Sequence, residues 1–122
     1  MTSETIEAEE RRRGARCCEP TGSGVLGTAE AQQLSDDLGI LAHPIRLQIL
    51  DMLTRHAGRV CVCDLEAALP VKQPTVSHHL KLLRAARLVD CERRGLWAYY
   101  FVNQGAVAEL CARVRAHLHA LA

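Results

Sequence analysis

The chain has 122 residues, enough for one small domain with a high surface fraction, and its formal net charge of +1 says little as a total. No apolar run approaches the roughly 18–20 residues of a membrane span, and the charged N-terminus lacks a signal-peptide hydrophobic region, so a cytoplasmic protein away from membranes is expected. In a reducing compartment, six cysteines (Cys17, Cys18, Cys61, Cys63, Cys91 and Cys111) point to soft-metal binding or redox chemistry rather than to structural disulfides.

Residues 1–27 read as a flexible arm without an apolar period: Glu4, Glu7, Glu9 and Glu10 are followed by Arg11, Arg12, Arg13 and Arg16, then by the Cys17-Cys18 pair and Pro20-Thr-Gly-Ser-Gly. Residues 28–122 form the folded domain. Thr28 is expected to cap a first helix running to about Leu41, with Leu34, Leu38 and Leu41 on one face. His43-Pro44 breaks that helix and opens the next. Ile45, Ile49, Met52 and Leu53, flanked by Leu47 and Leu50, predict a strongly buried helix over 44–56, ended by Gly58. Residues 59–61 are a short extended link, and 62–69 a third helix with Leu65 and Leu69 inward.

Residues 71–87 predict a fourth helix of a distinct kind. Val76, Leu80, Leu83 and Arg87 recur at i, i+4, i+7 and i+11, so the first three make one apolar stripe. Pro74 suits the first turn, and no acid interrupts Lys72 to Arg87. Thr75, Ser77, His78 and Lys81 project elsewhere and can bond phosphate or base edges. Taken alone, this is equally a recognition helix or an ordinary surface helix with a solvated basic face. Its context favours recognition. A short helix and a tight turn precede it, which is helix-turn-helix spacing. Residues 72–94 carry six cations against Asp90 and Glu92, a local +4. Residues 88–102 then change to a two-residue period with a tip at Arg94-Gly95, a hairpin whose return strand holds all the aromatics: Trp97, Tyr99, Tyr100 and Phe101. Residues 104–121 close the chain as a helix with Val107, Leu110, Val114 and Leu118 apolar. The fold class is mainly α with a small β-hairpin, a winged helix-turn-helix of order α-α-α-α-β-β-α. The first and last helices keep spare apolar faces for a homodimer.

Leu41-Ala-His-Pro-Ile-Arg-Leu-Gln-Ile-Leu50, Cys61-Val-Cys-Asp-Leu65, Gln73-Pro-Thr-Val-Ser-His-His-Leu-Lys-Leu-Leu83, Arg93-Arg-Gly95 and Tyr99-Tyr100 together resemble the ArsR/SmtB family of winged-helix metal sensors. The resemblance covers about residues 28–121, and the 73–83 string is its most specific part. It implies a homodimer that binds double-stranded, palindromic operator DNA and releases it when metal binds. The DNA-contacting set is then Lys72, Gln73, Thr75, Ser77, His78, Lys81, Arg93 and Arg94. Lys72 departs from the family, which often has a capping Ser there; the exchange gives up a cap and adds a charge for phosphate.

Thiolates favour arsenic(III), antimony(III), cadmium, lead and zinc over hard cations. In a regular helix residues i and i+2 point roughly 200° apart and could not share an ion, whereas at an irregular helix start they can. A place near a helix N-terminus also favours the thiolate of Cys63. The alternative for Cys61 or Cys63 is a small buried side chain. Two sulfurs do not complete a site. Family members that sense arsenic with the third helix alone carry another cysteine where this chain has Glu66. Others recruit cysteines of the N-terminal arm. The implied metal set is therefore Cys17, Cys18, Cys61 and Cys63, taking As(III) or Sb(III), with Cd(II) or Pb(II) as the alternative. The preference for As(III) rests on the vicinal arm pair and on the lack of nearby hard ligands. Cys91 and Cys111 are expected to be packed apolar side chains. The family's other zinc site, on the last helix, maps to Gln104, Ala106, His117 and Ala120, so only His117 survives there. A thiol-redox regulator is a further alternative. An enzyme is not expected, because no Cys-x-x-Cys follows a β-α-β pattern and no nucleophile–base pairing is evident.

Overall fold

The computed structural model describes residues 26–57 and 60–121. The elements are α1 (Thr28–Leu41), α2 (Pro44–Arg55), α3 (Val62–Ala68), α4 (Gln73–Ala85), β1 (Val89–Arg94), β2 (Trp97–Val102) and α5 (Gln104–Leu121), in the order the apolar periods predict. Cys17, Cys18 and nearly all of the expected arm lie outside the described residues. Among those residues, no helix is long and apolar enough to cross a membrane.

The core is one cluster. Ile45, Ile49 and Leu53 of α2 meet Leu65 and Leu69 around α3, Val76, Leu80 and Leu83 of α4, Leu88 and Val89 of the wing, and Leu110 of α5. Burying each such aliphatic side chain is worth about 1.5–3 kcal/mol, so the stripe of α4 is what seats that helix on the others. One expectation fails here: Leu47 of α2 is 51% exposed, not buried. Leu38 of α1 is 38% exposed, and among the described residues nothing covers the outer sides of α1 and α2. On α1 the buried residues are Leu34 and Asp37.

Helix ends follow local chemistry. Gly27, not Thr28, caps α1, its carbonyl accepting from the Ala31 N–H at 2.8 Å. His43 caps α2, its Nδ1 accepting from the Ile45 N–H at 3.1 Å, with Pro44 in the first turn where no N–H is missed. Helix α4 stops at Ala85, two residues before the expected 87. Arg87 turns left-handed (φ 65°), and its N–H reaches the Arg84 carbonyl at 2.9 Å while the Leu88 N–H reaches that of Leu83 at 3.0 Å. That pair of bonds is a Schellman ending, closed by buried Leu88.

Strands β1 and β2 pair antiparallel from Val89↔Val102 out to Arg94↔Trp97. Their two-residue tip is Gly95-Leu96, one residue later than expected, with Gly95 at φ 64° in the conformation a tight hairpin turn requires. Val60 bridges the other edge of β2, its carbonyl accepting from the Tyr100 N–H at 2.7 Å. The link before α3 is thereby tied to the wing. Arg113 of α5 donates to both carboxylate oxygens of buried Asp37, at 3.0 and 3.1 Å, which locks α5 to α1. Those bonds hold the Asp37 carboxyl below its ordinary 3.8, against the opposing pull of burial.

Candidate metal site and nucleic-acid interface

Cys61 is the residue before α3 begins, and its backbone is extended (φ −97°, ψ 172°). That extension swings its side chain back over the first turn. The sulfurs of Cys61 and Cys63 meet, as a disulfide, across a Cα–Cα distance of 5.4 Å. The irregular helix start therefore does what a regular i, i+2 spacing cannot. In the reduced chain the same backbone brings two thiolates within reach of one ion.

A third donor stands beside them. Asp64 Oδ2 accepts from the Cys61 N–H at 3.0 Å and lies 3.3 Å from Cys61 Sγ, which can donate to it only once the disulfide is reduced to the thiol. The ligand atoms of Cys61, Cys63 and Asp64 all fall within 4.8 Å of one another. The expectation that no hard ligand lies nearby is thus corrected. Asp64 was missed as a neighbour, although an acid three residues after a helix cap folds back on it by the ordinary capping geometry. Two soft sulfurs and one carboxylate are a donor set that could hold a thiophilic ion.

The remaining cysteines and histidines fall elsewhere. Cys91 is half-buried on β1, while Cys111 is exposed on α5, not packed as expected: among the described residues nothing covers its helix face. His117 Nδ1 is occupied at 2.8 Å by the Arg113 carbonyl. His79, on the same turn of α4 as His78, is buried against His43 (ring centroids 4.3 Å apart) and lies 3.4 Å from Arg46 Nη1. Burial lowers its pKa below the ordinary 6.5, and the nearby His43, Arg46 and His78 push it the same way.

Lys72, Gln73, Thr75, Ser77, His78 and Lys81 are all exposed along the leading end and outer side of α4. Lys72 stands at the cap position without a side-chain cap bond, leaving its ammonium to solvent. Arg93 and Arg94 are exposed on the wing. Arg94 is partly engaged, 3.4 Å from Glu92 and with its guanidinium 5.5 Å from the Tyr99 ring centroid. Arg84 pairs with Asp90 at 3.5 Å, so it is one of the cations already offset in the local excess.

A short helix, a tight turn, an exposed basic second helix and an antiparallel wing define a winged-helix DNA-binding protein. The family model described as bacterial regulatory protein, arsR family, matches residues 43–90, from the cap of α2 into β1. A transcriptional repressor SmtB homolog from Synechocystis sp. is 39% identical over 94 residues, which is 77% of this chain and 70% of that one. An arsenical resistance operon repressor from Bacillus subtilis is 40% identical over 80 residues, 62% of this chain and 75% of that one. Among solved structures, a homodimeric winged helix-turn-helix domain from Mycobacterium bovis, a possible ArsR-family regulator, superposes with a TM-score of 0.57 at 28% identity, covering 84% of this chain and 90% of that one. The chain belongs to the ArsR/SmtB family of winged-helix transcriptional repressors.

Proposed function

We propose that the protein is a metalloid-responsive repressor, which binds operator DNA as a homodimer and releases it when As(III) or Sb(III) is taken up by cysteine thiolates. The observation that carries this reading is the meeting of Cys61 and Cys63 at the start of α3. One or both of Cys17 and Cys18 complete the sulfur set. The B. subtilis relative, named as an arsenical resistance operon repressor, supports the choice of inducer.

On DNA, Gln73, Thr75, Ser77 and His78 meet bases and phosphates, and Lys72, Lys81, Arg93 and Arg94 meet the backbone. The dimer forms through α1 and α5. Their outer faces leave Leu38, Leu118 and Leu121 exposed beside a groove of about 490 Å³ lined by Leu41, Cys111, Val114 and Leu118. The homodimeric M. bovis neighbour supports the same assembly. Release requires that the liganded site disfavour the spacing of the two reading heads. Two connections from Cys61 make that possible: α3 leads through residues 69–72 into α4, and Val60 is bonded to the wing at Tyr100. A coupling of about 1–3 kcal/mol gives a 5–150-fold loss of DNA affinity.

A second reading, a Cd(II) or Pb(II) sensor, is favoured by one observation, the Asp64 carboxylate beside both sulfurs. Fluorescence anisotropy of the reduced protein on its own promoter DNA, titrated with arsenite and with cadmium, separates the two. Release by near-stoichiometric arsenite, with cadmium weaker, is expected. Cys61→Ser and Cys63→Ser should each keep DNA binding and lose release. Release by cadmium alone moves the assignment to the divalent sensor. Indifference to both ions, with release by a thiol oxidant, would instead establish redox sensing.

A further inference from the structure

We propose that the apex of the wing is an apolar wedge for duplex DNA: Leu96 enters the minor groove and parts a base step while Arg93 and Arg94 hold the flanking phosphates. The proposal rests on the DNA-binding reading and adds to it a way of sensing sequence through deformability.

Leu96 is 91% exposed, and Trp97 beside it is 56% exposed. Hairpin tips ordinarily carry polar or turn-forming residues, and the turn here asks nothing of Leu96. Gly95 takes the positive φ, and Leu96 packs on no core residue. A large aliphatic side chain is thus held in water at the point of the chain that projects furthest along the hairpin. Tyr100 is the outermost residue of β2 in contact with the core cluster, and Leu96 lies four residues beyond it. At strand geometry that is roughly 13 Å of reach, against a minor-groove depth of about 7.5 Å.

The charges beside the tip select the occupant. Arg93 and Arg94 precede it; the Arg94 guanidinium lies back over Glu92 and the Tyr99 ring and turns outward to reach a phosphate. Two cations framing one exposed leucine suit a polyanion with an apolar interior, which is a stacked duplex opened at one step. Leucine is among the residues that wedge between base pairs from the minor groove, unstacking and kinking them. Because pyrimidine–purine steps unstack most readily, such a wedge reads flexibility at positions that α4 never touches.

The test uses the full-length reduced protein and a duplex selected from a random pool by the wild type, with 2-aminopurine substituted at each position in turn. Wild-type binding should raise 2-aminopurine fluorescence at one step per half-site, flanking the segment read by α4, and should quench the emission of Trp97, the chain's single tryptophan. Leu96→Ala should fold normally at so exposed a site, bind about tenfold more weakly and lose the 2-aminopurine signal, with its salt dependence unchanged. Arg93→Ala should lower the salt slope and keep the signal. If no step brightens with the wild type, or Leu96→Ala brightens it equally, the wedge is overturned while DNA binding stands. If Leu96→Ala instead alters the association state of the free protein, the tip joins copies of the chain and the proposal fails. Selection of no duplex at all would remove the DNA-binding reading itself.

Discussion

His79 sits where chemistry and packing conflict. It faces the Arg46 guanidinium at 3.4 Å, a group that only donates, so the facing Nδ1 must be unprotonated to accept. Arg46 is itself anchored to the carbonyls of Ile40 and Gly39, at 2.8 and 3.2 Å, and cannot swing away without losing them. The folded protein therefore favours neutral His79, whose pKa lies below the 6.5 of the unfolded chain. The unfolded state then binds more protons in the interval between the two values. Stability from this group is whole above pH 6.5 and drains away as pH falls through the folded pKa. Urea denaturation at about pH 7.5 and about pH 5.5 should show the loss. His79→Asn, which keeps an acceptor for Arg46 and cannot titrate, should flatten the slope; an unchanged slope would assign the pH dependence to other groups. The sequence showed His79 as one of two adjacent histidines and could not say which was inside. The apolar stripe at 76, 80 and 83 leaves 79 beside it at helical spacing, but only the partners His43 and Arg46, more than thirty residues away in sequence, make that position habitable for a polar ring.

At the scale of elements, the reading helix begins on a compromise. A serine at position 72 would accept a backbone N–H of the first turn, whereas Lys72 makes no side-chain cap bond. Lys72→Ser should therefore stabilise the protein by about 1 kcal/mol while removing one phosphate contact, lowering the slope of log affinity against log salt by about one. Thermal denaturation and DNA binding at several salt concentrations check both signs. A stabilised variant with an unaltered salt slope would show that Lys72 stays clear of the backbone. Element types and order were legible because period and punctuation agree: Pro44, Pro70 and Pro74 mark helix junctions, and Gly95 the hairpin tip. Ends were less legible, since Arg87 ends α4 in a left-handed conformation usually given to glycine. The Val60–Tyr100 bridge joins single residues forty apart, with no periodic signal of its own. The Cys61–Cys63 approach was legible as chemistry, but it depended on the extended backbone at Cys61, and the neighbouring Asp64 emerged only from the capping geometry.

For the whole molecule, the chain leaves its terminal helices half used. Asp37 and Arg113 fasten α1 to α5 within the chain, so the two helices form one platform. The outer side of that platform exposes Leu38, Leu118 and Leu121, and its largely apolar groove is lined by Leu118 with Leu41, Cys111 and Val114, edged by Arg115 and His119. A second copy related by a two-fold axis would cover its own equivalent surface and set the spacing between two α4 helices. Affinity for a two-half-site operator then depends on that linkage, because the second reading head binds at an effective concentration fixed by the first. Leu118→Glu places a charge in the groove without touching the core around α2. It should shift sedimentation equilibrium from dimer to monomer, keep the helical signal of the folded subunit, and weaken operator binding by about two to four orders of magnitude. Binding to a single half-site should change little. A variant that remained dimeric, with full operator affinity, would move the dimer contact off α5 and leave the exposed leucines without a partner from this chain.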